Sequence, residues 1–134
     1  MSTRSTPLEL LEAGRERLVE NGWAQGDVMD SEFHYCAVGA LHGFRGFFNI
    51  DTQEFDYNSP RYSAALDEAV LFLDNAVKRN IDRTGEVLPG IERYNDMIAK
   101  SINDVLAIYD DAIVMAKEAE RDGKKPERTK GIVW

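Results

Sequence analysis

From Ile102 to about Arg121 an apolar residue returns at every three- or four-residue step, and that period commits the segment to an amphipathic helix. Ile102, Val105, Tyr109, Ala112, Ala116 and Ala119 form the stripe, and Leu106 and Ile113 widen it. Ser101, followed three residues later by Asp104, reads as an N-cap whose N3 acid also suits the positive end of the helix dipole. The pattern tells how this part of the chain folds. It carries no chemistry, and no other segment shows a strong catalytic, metal or nucleotide signature.

Upstream, the same logic yields further helices. Thr6-Pro7-Leu8-Glu9 places a capping threonine before an N1 proline and a capping-box acid. That helix is expected to run to about Glu20 and stop at Asn21-Gly22, with Leu8, Leu11, Leu18 and Val19 inward and Arg15 at the margin of the stripe. Trp23, between Gly22 and Gly26, reads as a plug closing a helix corner. Asp30 or Ser31 could cap a second helix over roughly Glu32–Gly43. Its middle, Cys36-Ala37-Val38-Gly39-Ala40-Leu41, is small and apolar. Small side chains let other helices approach closely, so this is the expected buried centre.

Residues 49–59 are a polar, acidic connection with weak hairpin chemistry. Ser59-Pro60 then opens the cleanest amphipathic stretch, Tyr62 to Asn80, again with a cap and an N1 proline. Breaks at Thr84-Gly85 and Pro89-Gly90 separate it from a short helix near Ile91–Ile98. The long last helix ends before Gly123, and Lys124-Lys125-Pro126 does not continue it. The expected architecture is all-α: one compact domain of four to five helices over 1–123 around a small-residue helix. Residues 124–134 form a basic, Trp-ended tail, expected to matter for association more than for folding.

At 134 residues the chain can bury a core without staples. Its single cysteine, Cys36, rules out an internal disulfide framework. A reducing cytoplasm is the simplest setting, with an intermolecular pair as the alternative. Met1–Pro7 has no apolar run after Arg4, unlike a secretory signal, and Ala69–Leu73 is far too short to span a bilayer.

Net charge is −8, and residues 1–60 hold four basic against ten acidic groups, a balance of −6. Excess negative charge works against phosphate-backbone binding, so no direct nucleic-acid contact is expected. The basic run Arg121, Lys124, Lys125, Arg128 and Lys130 reads as a solvated tail after a helix C-terminus.

The only histidines and cysteine are His34, Cys36 and His42. On one helix, His34 and Cys36 would point about 200° apart and His34 and His42 would sit roughly 12 Å apart. They form no compact metal site by themselves, and neither metal nor cofactor is expected. A thiol enzyme would use Cys36 near a helix N-terminus, His34 or His42 as base, and Asn95 or Asp96 to orient that base. Against it stands the ordinary use of cysteine as a buried small hydrophobe. Gly39, Gly43 and Gly46 lie along a helix and its exit and make no phosphate loop. Asp110-Asp111 and Asp67-Glu68 read as surface charge.

Leu8-Glu9-Leu10-Leu11 with Gly22-Trp23, then Tyr35 to Leu41, then Tyr94-Asn95-Asp96 followed by Ser101, Asp104 to Ala107 and Asp111-Ala112-Ile113, span most of residues 7–113. In these motifs the chain resembles a family of small uncharacterised proteins of actinobacteria and their bacteriophages, classed only as a domain of unknown function. The resemblance implies no activity. It implies that Asn95-Asp96 is a structural joint whose side chains satisfy backbone groups at a helix end. Asp51–Pro60 and the tail from Lys124 depart from the family pattern, and a phage origin would suggest an accessory protein acting on a host component.

The leading expectation is a non-enzymatic interaction protein that binds a host protein or itself, a homodimer being the simplest form. Phe44, Phe47 and Phe48 at the helix exit, with Val133 and Trp134, are the candidate contact residues. The alternatives are the Cys36 thiol enzyme and an acidic decoy that occupies a DNA-binding protein.

Overall fold

The computed structural model describes residues 6–26, 34–42, 48–49, 54–55, 64–80, 88–126 and 132–133. Among the described residues five α-helical segments form an all-α domain: α1 (Pro7–Asn21), α2 (Ala37–His42), α3 (Ala64–Asn80), α4 (Ile91–Arg93) and α5 (Ile102–Asp122). α4 runs directly into a π-turn, Tyr94–Ile98. Extended structure among the described residues comprises a single Trp23–Tyr35 bridge and two pairings of two residues each. Phe48–Asn49 (β1) lies antiparallel to Glu54–Phe55 (β2), and Leu88–Pro89 (β3) lies parallel to Ile132–Val133 (β4).

α1 starts as the sequence dictates. The Thr6 hydroxyl accepts the Glu9 amide at 3.2 Å, Pro7 occupies the first helical position, and Gly22 ends the helix at φ +99°. Gly22 also makes room: a Cβ there would stand 2.8 Å from Cδ2 of His34. The inward face is rotated from the expected stripe. Leu10 is buried with Leu11 and Leu18, whereas Val19 is 58% exposed. α1 must cover α2 as well as α3 and α5, so the residues on the α2 side are drawn into the core and Val19 turns to solvent.

The second helix is shorter than expected. His34, Tyr35 and Cys36 are not helical, and α2 begins at Ala37; Asp30 and Ser31, the expected caps, lie outside the described residues. The Tyr35 amide donates to the Gly22 carbonyl at 3.1 Å, and the Ala24 amide donates to the Tyr35 carbonyl at 2.9 Å. These bonds hold residues 34–36 extended beside the end of α1, and an aromatic such as Tyr35 suits that conformation. The His34–Cys36 helix geometry argued from the sequence therefore does not apply. The central role does hold: Cys36, Ala37, Val38, Ala40 and Leu41 are all buried.

α3 and α5 pack against each other and against α1. Asn80 donates to Asp111 Oδ2 at 2.6 Å, while Phe72 shares a groove with Ala116 and Ala119, so α3 and α5 run antiparallel. Buried Val105, Tyr109, Ala112 and Ala116 follow the expected α5 stripe, with Ile108 in the core beside them. At its start the capping differs: Ser101 makes no side-chain cap, and Asp104 instead accepts the Lys100 amide at 2.8 Å. Gly123, left-handed at φ +66°, terminates the helix.

Tyr62 and the Ser59-Pro60 cap lie outside the described residues. The tail returns to its own domain, pairing Ile132 with Leu88 and Val133 with Pro89. Its backbone at Ile132–Val133 thus has an intramolecular seat. No helix among the described residues is long and apolar enough to cross a membrane.

Candidate functional site

A six-residue helix buried at the centre of a domain has a backbone problem, because its terminal amides and carbonyls have no partners within the helix. Here side chains supply several of them, and Tyr109 adds a bond to a first-turn carbonyl. Asn95, fully buried on the π-turn, accepts the Ala37 amide on Oδ1 at 2.9 Å. The Gly39 amide donates to Cys36 Sγ at 3.3 Å, which makes the cysteine a side-chain cap. The Tyr109 hydroxyl on α5 donates to the Ala37 carbonyl at 2.6 Å, and Arg17 on α1 donates to the Ala40 carbonyl at 2.7 Å.

Asn95 does more than cap α2. Its Oδ1 also accepts the Trp23 indole N–H at 2.6 Å, and its Nδ2 donates to the Ala24 carbonyl at 3.0 Å and to Asp96 Oδ1 at 2.9 Å. Asp96 Oδ1 accepts the Gly26 amide at 2.9 Å. Gln25 donates to the carbonyls of Asn95 and Ala99, both at 3.0 Å. Residues 22–26 are thereby strapped across the π-turn. The turn exposes carbonyls that an α-helix would use internally, and Gln25 satisfies that of Asn95 together with that of Ala99 just past the turn. The carboxylate of Asp74 on α3 completes the joint by accepting the Ile91 amide at 2.8 Å.

This settles where the thiol-enzyme residues stand. Cys36 and Asn95 are brought together at the N-terminus of α2, with Asp96 next along the turn. The side chain of Asn95 holds a backbone amide, a carbonyl and the Trp23 indole, and orients no histidine. His34 packs at Gly22, and the side chain of His42 lies outside the described residues. Cys36 is 3% exposed, and burial pushes its thiol up to about 12 despite the Gly39 and Val38 backbone bonds that pull the other way. A thiol held neutral in this way is a poor nucleophile.

Two measurements follow for Cys36. Iodoacetamide should leave it unmodified in the folded protein and react with it promptly in urea. Stability should also fall as pH rises from about 9 to about 12. Through that window the unfolded thiol is ionised while the folded one is not, so the unfolded state binds fewer protons and gains ground. Rapid alkylation of the native protein near neutral pH would contradict both.

Among the contact candidates, Phe44, Phe47 and Trp134 lie outside the described residues, and Phe48 and Val133 are described only by their backbone pairing. The structure shows another outward-facing feature. At the end where α1 begins and α5 finishes, an open groove of about 310 Å³ lies between the helices. Leu8, Phe72, Ala116 and Ala119 line it, with Glu68 and Glu120 opposed by Lys124 and Lys125 among the charged lining residues. Among the described residues no three His, Cys, Asp or Glu are grouped to hold a metal ion.

Sequence reasoning missed Gln25, Arg17, Tyr109 and Gly14 as parts of the joint. Gly14 was the findable one. A glycine inside a helix costs about 1 kcal/mol against alanine, so its presence signals a close approach. A Cβ at Gly14 would lie 2.8 Å from the Tyr109 hydroxyl and 3.2 Å from Cα of Leu41.

A model of a family described as a family of unknown function (DUF6197) matches residues 2–115, and the chain belongs to that family. The matched span contains the whole Asn95 joint and stops before the turns of α5 that wall the groove. No curated protein and no solved structure matches the chain.

Proposed function

We propose that this member of the family is a non-enzymatic protein-interaction module of the bacterial cytoplasm, and that the groove between α1, α3 and α5 is its contact surface. The groove is the observation that carries the reading. The polar side chains at the Asn95 joint are engaged in holding the fold, whereas the partly buried Leu8 and Ala119 leave apolar surface open in the groove that the buried Phe72 and Ala116 also line. A volume near 310 Å³ admits an anchoring side chain of a protein partner, and charges of both signs at the rim add orientation. An actinobacterial or phage origin, suggested by the sequence motifs alone, would make a host protein one class of such partner.

The test is Ala119→Arg. Ala119 is only partly buried on α5, so arginine should leave the helical circular dichroism unchanged while filling the groove. Light scattering and pull-down with the wild type should show a partner or self-association that the variant loses. A wild type that enriches nothing and stays monomeric, or a variant that binds undiminished, rejects the groove.

The thiol-enzyme reading is weakened by the burial of Cys36. The acidic-decoy reading rests on the −6 balance of residues 1–60; of its acids Glu9, Glu12, Glu16 and Glu20 stand exposed on α1, a pattern that an ordinary solvated helix face also produces. Capture of a DNA-binding protein in low salt and its loss in high salt would revive the decoy.

A further inference from the structure

We propose that the chain self-associates head to tail, with Met97 of one copy seated in the groove of the next. This rests on the interaction reading above and names its partner as a second copy. Among the described residues Met97 is the most exposed large apolar side chain, at 71%, ahead of Val19 at 58% and Val114 at 47%. It projects from the π-turn that the Asn95 joint holds in place. A methionine is unbranched and polarisable, so it adapts to an irregular apolar groove such as that between Leu8, Phe72, Ala116 and Ala119.

Charge supplies the orientation. Arg93 and Lys100 flank Met97 in the chain and are exposed, and the groove presents Glu68 and Glu120. Glu92, beside Arg93 and also exposed, is opposite in sign to the groove's Lys124 and Lys125. Around Met97 the exposed charges are Glu92, Arg93, Asp96 and Lys100, and the rim carries two acids and two lysines, so opposite charges can meet in pairs.

The contact has to be made between copies. Met97 precedes the first turn of α5, the groove lies at its last turns, and a helix of 21 residues is about 30 Å long. One copy therefore cannot fill its own groove. Knob and groove are different surfaces, so the contact is heterologous and propagates into a ring or an open chain. A single methionine anchor buries far less than the ~1,200 Å² of a stable interface. The association is accordingly weak, concentration-dependent and weakened by salt.

The experiment uses complementation between two variants, Met97→Glu and Ala119→Arg, followed by sedimentation velocity over a wide concentration series. The wild type should at least double its mean mass at the high end. Each variant alone should stay monomeric with unchanged circular dichroism. Mixed, they should form a one-to-one dimer and nothing larger, because one retains only the groove and the other only the knob. If Ala119→Arg disturbs the helix, the exposed rim variant Glu120→Lys takes its place, with weakened assembly as the expected result.

A monomeric wild type overturns the proposal, as does a variant that assembles like wild type or a mixture no larger than its parts. A monomeric wild type that still holds a foreign protein, lost in Ala119→Arg, overturns self-association and leaves the interaction reading standing.

Discussion

Replacing Asn95 with alanine is expected to cost about 4 kcal/mol of folding stability and to lower the melting temperature by about 15 °C. The side chain is fully buried and serves four partners: the Trp23 indole, the Ala37 amide, the Ala24 carbonyl and Asp96. Truncation deletes the amide that meets all of them. Leaving a buried donor or acceptor without a partner costs about 1–3 kcal/mol, and two donors and a carbonyl lose theirs together. The space vacated in a buried site adds a cavity term.

The effect should also be local before it is global. In a Trp134→Phe background Trp23 is the only indole, and its emission should shift to the red in the folded Asn95→Ala protein as residues 22–26 loosen. Urea denaturation followed by circular dichroism gives the stability. A loss below about 1 kcal/mol, the size of a single ordinary hydrogen bond, would show that the joint is not the keystone the geometry makes it.

Gly14→Val is the second large effect, expected at about 3 kcal/mol. The first added carbon alone would stand 2.8 Å from the Tyr109 hydroxyl and 3.2 Å from the Leu41 backbone. The hydroxyl has little freedom to retreat, because it donates to the Ala37 carbonyl at 2.6 Å. Moving Leu41 instead would displace α2, whose residues are close-packed with α1. Valine adds two further methyl groups to that gap.

Gly14→Ala separates the causes, since alanine favours the helix by about 1 kcal/mol and loses by crowding. Combining it with Tyr109→Phe, which removes the nearest oxygen, should give less than the sum of the two single losses. Strict additivity in thermal melts would mean that the glycine and the tyrosine do not share the contact.

The exposed Arg15–Asp110 pair, at 2.6 Å between α1 and α5, is a useful contrast. It joins the same two helices in plain view, yet a solvent-exposed ion pair contributes only about 0.5 kcal/mol. The buried contacts around Gly14 and Asn95 decide the fold.

What the sequence determined by itself was the set of helices and several of their ends. Thr6-Pro7, Asn21-Gly22 and Gly123 act through bonds to residues a few positions away, so their meaning is local and readable. The three- and four-residue stripe of α5 works the same way, because helix period is a property of the segment alone. Val19 and the start of α2 went otherwise, and for one reason: each depended on which neighbour arrived. Whether Val19 faced the core turned on how α1 was rolled over α2, and residues 34–36 stayed extended because Gly22 and Ala24 offered backbone partners.

The Asn95 joint belongs wholly to the tertiary structure. Nothing in the order of residues tells that an asparagine 58 positions after Ala37 will cap its amide. Resemblance pointed to a structural joint at Asn95-Asp96, and only the packing of four elements revealed which backbone groups it serves. The groove is equally a product of assembly, since Leu8, Phe72 and Ala119 come from three helices and look in sequence like ordinary core positions. A stripe records that a side chain will be covered. It does not record where the covering runs out, as it does over Leu8 and Ala119 at the groove.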